Sequence, residues 1–317
     1  MSNHKWTIIA QLLVFGPMVT VAITVLLNSR TGSETDLGKS AQLTTPPAAL
    51  SEPIDLRIVT FNLHDLYLDS ADRPARMRGV GAVLAELDPD IVGIQEAFIA
   101  SDRRVLLDDL AAKNSRLAHH QYFPSATVGS GLLVLSAFPL TECFFHRYRH
   151  DGKWYRFQHG DWWAGKGVAL ARVQLPSGGY LDFYNTHLHA QYGRGEYVTV
   201  IENEALEIGR FVKASATGVS PAIVVGDFNC TPDSNAYGLA VSEAGLKRMM
   251  LQDTRIDHIF AVDNPRYAFT ALETIRIDRK VKIGDREERL SDHTGYLSAI
   301  RIAPAKQEDS VADVPGK

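Results

Sequence analysis

Cysteine is scarce in this chain of 317 residues, which contains only Cys143 and Cys230. Two cysteines exclude a disulfide framework and a zinc site built from cysteines. Strong charge is also missing, since the net charge is −4. That balance argues against a protein that holds nucleic acid by charge alone. Hydrophobic residues make up 45% of the chain, which excludes a fully disordered protein.

The sequence contains only one long hydrophobic run, which excludes a protein with several membrane spans. The run extends from Thr7 to Leu27, carries no charge and is long enough to cross a bilayer as a helix. It predicts an N-terminal transmembrane anchor, with a long signal sequence as the alternative. Basic residues flank the run on both sides and determine the orientation weakly. We expect a single-pass, membrane-anchored protein, with the outer side favoured for its domain.

Changes in composition divide the rest of the chain. Residues 1–6 are a short tail, and residues 28–53 are rich in Ser, Thr, Gly and Pro, which is typical of a flexible linker. Residues 54–303 contain no second linker of that length and predict one domain. Residues 304–317 are a polar tail.

Apolar runs alternate with amphipathic stretches along this domain. Two stretches, Arg73–Leu87 and Glu196–Ala214, have the apolar spacing of helices. Many strands with helices between them predict sheets covered by helices. The predicted strands are Leu56–Leu63, Asp90–Phe98, Gly131–Phe138, Gly167–Leu175, Tyr180–Leu188, Ala222–Asn229, Asp257–Val262 and Gly295–Ile302.

Polar residues recur where these strands end, or in the loops beside them. Each one alone has a structural explanation as a turn or capping residue. Six such strand ends in one domain favour a functional site, because enzymes built on sheets place their chemistry there. The candidates are Asn62, Glu96, Asn185, His187, His189, Asp227, Asn229, Asp257, Asp292 and His293.

The residue types suit metal-assisted hydrolysis. Oxygen donors such as Glu96, Asp292 and the Asn62 amide are ligands that Mg²⁺ prefers. Two histidines, His187 and His293, suit a transition-state donor and a general base. The chain has no H-E-x-x-H, P-loop or G-x-S-x-G motif, which excludes the corresponding zinc peptidases, nucleotidases and serine hydrolases. A phosphate ester is therefore the favoured substrate.

Six short motifs occur in an order that resembles the endonuclease/exonuclease/phosphatase superfamily: TFNLH, IQEAF, NTHLHA, GDFN, RIDHIF and SDH. The resemblance covers roughly Ile54–Ile302. It implies an α/β fold, a four-layer α/β/β/α sandwich of two packed mixed sheets, here preceded by the N-terminal transmembrane helix.

The same resemblance implies a role for each site residue. Three would hold Mg²⁺, namely Glu96 as the principal ligand, Asn62 beside the ion, and Asp292 directly or through water. Five would act on water and phosphate: His293 as general base, Asp257 as its partner, His187 as donor to the phosphoryl oxygens, and Asp227 and Asn229 on the water and a phosphate oxygen.

Three further stretches resemble the neutral sphingomyelinases: Ser130–Leu140, Asp161–Val173 and Asn185–Tyr192. Lys166 follows Asp161 by five residues, and a pair at this spacing forms a switch near the site in animal members. The structural alternative is a loop lysine before a strand. The chain departs from some animal members, which carry two membrane segments or an extra domain.

Aromatic and basic residues are interleaved in Cys143–Trp163, and Asp151–Gly152 predicts a hairpin there. Such a composition suits a membrane interface, although it could also stack nucleobases. We expect three tryptophans at the interface, and two phenylalanines packed on the sheet: Trp154, Trp162 and Trp163, and Phe144 and Phe157.

The sequence therefore predicts a membrane-anchored, Mg²⁺-dependent phosphodiesterase that cleaves sphingomyelin, or a related choline lipid, to ceramide and phosphocholine. A nuclease and a phosphoinositide phosphatase are the enzymatic alternatives, and an inactive membrane-tethered binding module is the third. The acidic net charge and the anchor argue against nucleic acid as a partner. A membrane phospholipid and the membrane surface are the expected partners, and no obligate protein partner is inferred.

Overall fold

The computed structural model describes residues 19–24, 49–67, 72–193 and 195–305. Residues 19–24 are helical, and the rest of the predicted anchor, Thr7–Leu27, lies outside the described residues. In the described part of the chain, no helix is long and apolar enough to span a membrane. The predicted linker is described only from residue 49, where Leu50 is buried and its N–H donates to the Tyr267 hydroxyl.

The described ranges form fourteen strands and, from residue 73 onward, five α-helices and one short 3-10 helix. The helices are α1 (Arg73–Leu87), α2 (Ala100–Ala112), α3 (Asp161–Ala164), α4 (Val198–Ser215) and α5 (Asn235–Ala244), with the 3-10 helix at Phe157–His159. The strands are β1 (Ile54–Asp65), β2 (Ile91–Ala97), β3 (His119–Tyr122), β4 (Leu133–Ser136), β5 (Leu140–Arg147), β6 (Gly167–Gln174), β7 (Tyr180–His187), β8 (Ala222–Asp227), β9 (Leu246–Arg248), β10 (Asp257–Val262), β11 (Tyr267–Ile277), β12 (Lys280–Ile283), β13 (Arg286–Arg289) and β14 (Gly295–Pro304).

Within the described residues, twelve of these strands form two mixed sheets. The first has the order β11-β14-β1-β2-β4-β3, and the second has the order β5-β6-β7-β8-β10-β9. Each sheet contains one parallel pair, β1 with β2 and β7 with β8, and each pair is connected through a helix, α1 or α4. Strands β12 and β13 form a separate hairpin.

Alternating side chains hold the layers together. In β1, Ile58 packs between the two sheets, while Val59 packs against α1 and α2 on the outer face. In β8, Val225 packs between the sheets, while Val224 packs against α4 and α5. Successive strand residues point to opposite faces, so both faces of each sheet are covered. The predicted α/β fold with two mixed sheets is confirmed, with helices on both outer faces.

The two sheets approach closely at Gly93 in β2, where an added Cβ would lie 2.4 Å from Val225 Cγ2. Beside this point, Gln95 Nε2 donates to Asn185 Oδ1 at 2.7 Å, and Asn185 Nδ2 donates to the Ile94 carbonyl oxygen at 2.9 Å. These buried hydrogen bonds cross between the sheets. They fix the strand ends of one sheet against those of the other.

The predicted hairpin in Cys143–Trp163 is wrong. Strand β5 ends at Arg147, and the residues that should form the second arm contain the 3-10 helix and α3. The turn residues pack inward, because Asp151 Oδ2 accepts from Arg147 Nη2 at 2.8 Å and Gly152 lies against the His189 ring. Phe157, expected to pack on the sheet, is 57% exposed as a result.

Candidate active site

The two parallel pairs end at one edge of the molecule. Asn62 lies in β1 and Glu96 in β2, while His187 and Asp227 are the last residues of β7 and β8 and face each other in the ladder. Asp257 begins β10 directly opposite Asp227, since these strands are antiparallel. Parallel neighbours share the edge where their carboxyl ends lie, so the topology gathers these side chains.

Asn62 connects the carboxylates of the two sheets. Its amide nitrogen donates to Glu96 Oε1 and to Asp227 Oδ2, at 3.0 Å each. Its amide oxygen accepts from the backbone N–H of His64 at 3.0 Å. The ligand atoms of Glu96, Asp227 and His187 lie within 4.8 Å of one another. Two carboxylates held this close repel each other, which a cation would offset.

Glu96 combines a strained backbone with an unpartnered oxygen. Its φ is +55°, in the left-handed region that costs a residue other than glycine on the order of 1 kcal/mol. Its buried Oε2 accepts no hydrogen bond from the residues that the structure describes. A buried carboxylate oxygen without a donor is costly unless a cation binds it. The donor set of hard oxygens with one imidazole fits a divalent cation.

The predicted pair Asp161 and Lys166 is in contact. Lys166 Nζ lies 3.0 Å from Asp161 Oδ1, 2.9 Å from His187 Nε2 and 2.8 Å from the Leu188 carbonyl oxygen. Burial raises the pKa of Asp161, but the charges of Lys166 and the nearby histidines hold it below its ordinary value. The geometry links this pair directly to His187, while its role as a switch stays a prediction.

His293 precedes β14 of the first sheet and reaches Asp257 of the second. Its Nδ1 lies 3.0 Å from Asp257 Oδ2, and its Nε2 lies 3.7 Å from Asp227 Oδ2. Burial lowers the pKa of His293, but the hydrogen bond to Asp257 and the surrounding carboxylates raise it to about 10. These carboxylates favour the protonated ring, and a cation bound beside Glu96 and Asp227 would offset their charge and lower the pKa toward the range of a general base.

The turn after β8 positions Asp227 and Asn229. The N–H of Asn229 donates to Asp227 Oδ1 at 2.9 Å, and Asn229 Nδ2 donates to the Leu188 carbonyl oxygen at 2.8 Å. Burial raises the pKa of Asp227, but His187, His293 and Lys166 outweigh it and keep the carboxyl ionised. The motif begins with Gly226 because an added Cβ there would lie 2.1 Å from the Thr186 carbonyl oxygen.

Asp292 lies apart from this cluster. Its side chain is 57% exposed, and its Oδ1 lies 3.8 Å from His64 Nδ1. The same oxygen accepts from the Ser291 hydroxyl at 3.3 Å. Asp292 is therefore placed at the rim, and its contact with a metal, direct or through water, stays a prediction.

The site opens into a cavity of about 520 Å³. Three predicted residues, Asn62, Lys166 and Asp257, are buried behind its surface. The other seven line it: Glu96, Asp161, His187, Asp227, Asn229, Asp292 and His293.

The sequence candidate His189 lies beside the cavity, with its Nδ1 3.2 Å from Asp161 Oδ2. Three residues that line the cavity were not among the sequence candidates: His64, His159 and Tyr192. His64 lies two residues beyond Asn62 in the same motif, which could have identified it. His159 and Tyr192 carry no such signal.

Comparison with known proteins gives a consistent picture. The family model described as Endonuclease/Exonuclease/phosphatase family matches residues 59–293. Inositol phosphosphingolipids phospholipase C of Schizosaccharomyces pombe is 36% identical over 200 residues, 61% of this chain and 46% of that protein. Sphingomyelin phosphodiesterase 2 of Mus musculus is 34% identical over 185 residues, 58% of this chain and 43% of that protein. The match thus spans less than half the length of either relative.

A solved structure shows the same fold. The crystal structure of a beta toxin mutant from Staphylococcus aureus with bound magnesium ions superposes with a TM-score of 0.61 at 14% identity. The superposition covers 78% of this chain and 99% of the toxin chain.

Proposed function

The chain belongs to the endonuclease/exonuclease/phosphatase family, and on this premise we propose that it is a metal-dependent phosphodiesterase of the neutral sphingomyelinase type. One observation carries the proposal. The strand ends of both sheets bring Glu96, His187 and Asp227 together with the Asp257–His293 pair beside one cavity. A cation site next to a carboxylate–histidine pair suits attack of water on a phosphodiester.

The proposed substrate is sphingomyelin, or a related choline lipid, and the products are ceramide and phosphocholine. The names of both relatives support a sphingolipid phosphodiester, since each describes hydrolysis of such a lipid. The contact between Asp161 and Lys166 also supports it, because this pair carries the resemblance to neutral sphingomyelinases.

Mg²⁺ is the proposed cofactor. Glu96 would hold it, with Asn62 beside it and Asp292 acting directly or through water. The unpartnered, buried Oε2 of Glu96 supports this choice. When bound, the ion would offset negative charge on the phosphoryl and leaving oxygens.

The protein's own groups would supply the remaining chemistry. His293 would accept the proton of the attacking water at Nε2, while Asp257 fixes the ring through Nδ1. Asp227 and Asn229 would orient the water and a phosphate oxygen. His187 would donate to the phosphoryl oxygens as their charge grows.

The segment around the 3-10 helix would contact the membrane. Trp154 is 43% exposed, and Phe157 is exposed and stacks on Trp163 with ring centroids 5.4 Å apart. Residues 158–161, next along the chain, line the cavity. Exposed aromatic rings beside Lys153 suit the headgroup region of a bilayer. The cavity would thereby open toward lipid.

We also propose that Thr7–Leu27 anchors the chain, with the domain on the outer side. The uncharged length of the run supports the anchor. Alkaline extraction of membranes tests it, since a spanning helix stays in the pellet. Release of the whole chain into the supernatant would contradict an anchor.

Product analysis tests the activity. The full chain is incubated with Mg²⁺ and vesicles containing sphingomyelin, and released phosphocholine and ceramide are measured by mass spectrometry. We expect both products, and their loss on chelation and in His293→Ala. Activity retained by a folded His293→Ala would contradict the proposed base. Two results without ceramide would favour the alternatives. Release of inorganic phosphate from phosphoinositides would favour a phosphoinositide phosphatase, and nicking of a plasmid would favour a nuclease.

A further inference from the structure

Tyr192 and His159 form one part of the cavity wall, and the two relatives described above differ in the headgroup of their lipid. The two relatives are named for sphingolipids that carry inositol phosphate in one case and phosphocholine in the other. Inositol is an uncharged ring with many hydroxyls, which require hydrogen-bonding partners. The trimethylammonium group of choline forms no conventional hydrogen bond and binds best on aromatic faces in a negative potential.

We propose that Tyr192 and His159 form the subsite for a quaternary ammonium headgroup and so select choline lipids; this inference rests on the proposed function. The two rings are parallel, with centroids 4.3 Å apart and an angle of 2° between their planes. His159 therefore covers one face of Tyr192. Tyr192 is nevertheless 40% exposed and lines the cavity, which leaves its other face for a ligand.

Neighbouring rings fix the orientation of this wall. Tyr197 and His189 meet Tyr192 nearly at right angles, with centroids 6.0 Å and 5.9 Å away. His159 Nδ1 lies 2.5 Å from the Tyr197 hydroxyl. A ring held on three sides presents a preformed face, so little side-chain entropy is lost on binding.

Outside the predicted site residues, the part of the cavity lining that the structure describes carries no carboxylate. The wall is extended by apolar or aromatic residues and by one amide: Leu66, Tyr67, Phe98, Val128, Ala164, Ala190 and Gln158. Among the lining residues in the described ranges, none is lysine or arginine. A cationic headgroup that enters the cavity therefore meets no permanently positive side chain in this lining. Only a protonated histidine would repel it.

Carboxylates give the wall a favourable potential. Burial and the charge of Asp161 raise the pKa of the Tyr192 phenol, and the charge of Glu96 contributes in the same direction. Glu96 and Tyr192 line the same cavity, so the phosphate and the ammonium group of one headgroup can face the two residues together.

Two substrates that differ only in charge test the subsite. The full chain is assayed with sphingomyelin and with an analogue in which an uncharged tert-butyl group replaces the trimethylammonium group. We expect kcat/KM to favour the cationic substrate by about 10-fold. Tyr192→Leu should bring this ratio close to one, whereas Tyr192→Phe, which keeps the ring, should preserve it.

The control variant is Tyr180→Leu, which removes a half-buried tyrosine at the opposite end of β7. It should leave the ratio unchanged, because Tyr180 does not line the cavity. Phosphatidylcholine, assayed in parallel, carries the same headgroup on glycerol. Its turnover separates selection of the headgroup from selection of the lipid backbone.

The outcomes separate this inference from the proposed function. If the unmodified chain shows no preference for the cationic substrate, or if Tyr192→Leu shows the same preference as the unmodified chain, the subsite is overturned. Turnover of sphingomyelin in the same assay still supports the proposed activity. If neither lipid is cleaved, the proposed function fails, and calorimetry still decides the subsite. Tighter binding of phosphocholine than of inositol 1-phosphate in the presence of Mg²⁺, lost in Tyr192→Leu, supports it. Equal binding overturns it.

Discussion

The two parallel units of the molecule, β1–α1–β2 and β7–α4–β8, share an architecture and present different chemistry. Near the end of the first lies Glu96, whose Oε2 has no hydrogen-bond partner among the described residues. The second ends with Asp227, whose two oxygens already accept from Asn229 and Asn62. The first unit therefore leaves an oxygen for a ligand, and the second is held by the protein's own donors.

This difference shows that a repeated architecture does not repeat a function. The strand order brings the ends together, and the side chains decide what each unit contributes. Changes in the first unit should impair cation binding. Changes in the second should impair turnover or stability while cation binding persists.

The largest effect is expected for Glu96→Gln. The amide has nearly the same shape and lacks the charge that would bind Mg²⁺. We expect the affinity for Mg²⁺ to fall by about 10²-fold and turnover by about 10³-fold. Calorimetry measures the first and release of phosphocholine the second, with circular dichroism to confirm folding. An unchanged Mg²⁺ affinity would remove Glu96 from the metal site.

A smaller loss is expected for His187→Asn in the second unit. Turnover should fall by about 10²-fold, because a donor to the developing phosphoryl charge is lost. The affinity for Mg²⁺ should change little. The same two assays check this prediction. A parallel loss of Mg²⁺ affinity would make His187 a metal ligand, which its position beside Glu96 and Asp227 permits.

Paired glycine substitutions extend the comparison to stability. In Gly226→Ala the new Cβ meets the backbone oxygen of Thr186, which cannot move aside, whereas in Gly93→Ala it meets the side chain of Val225. We expect losses in the free energy of unfolding of about 2 kcal/mol and about 1 kcal/mol, respectively. Urea unfolding measures both. Equal losses would show that the two positions are equally constrained.

The smallest effect concerns pH and His258 in β10. Burial lowers the pKa of His258 to about 4. In the unfolded chain His258 has its ordinary pKa. Between the two pKa values the unfolded chain therefore binds more protons than the folded chain, so the free energy of unfolding falls as the pH falls. We expect a loss of about 1 kcal/mol between pH 7.5 and 5.5 from this group. Urea unfolding of the unmodified chain and of His258→Gln at both pH values measures it. An identical pH dependence in the two proteins would contradict the assignment.

The central strands were predictable because their apolar runs are long and uninterrupted. Helix α1 has the predicted bounds, and β10 does too. Helix α2 and strand β11 were not predicted. The first carries many charged residues, and the second is an edge strand with several exposed side chains, so neither has a strong apolar pattern.

The sequence was sufficient to identify the site residues by type. Which of them lie close together depends on the order of the strands in the two sheets. His293 and Asp257 are 36 residues apart and meet only because β10 and β14 lie in facing sheets. The stack of His159 on Tyr192 joins the 3-10 helix to the loop after β7 in the same way. The wrong hairpin has a similar cause, since contacts of Asp151 and Gly152 with distant residues outweigh local turn preference.

The place of β14 in the first sheet has a consequence for synthesis. The strand lies between β11 and β1, so β1 has an open edge until the ribosome has delivered residues near 300. His293 emerges immediately before that strand. A nascent chain that has not yet reached β14 therefore lacks both a closed first sheet and the proposed base, so the proposed hydrolysis would begin only after β14 has been added.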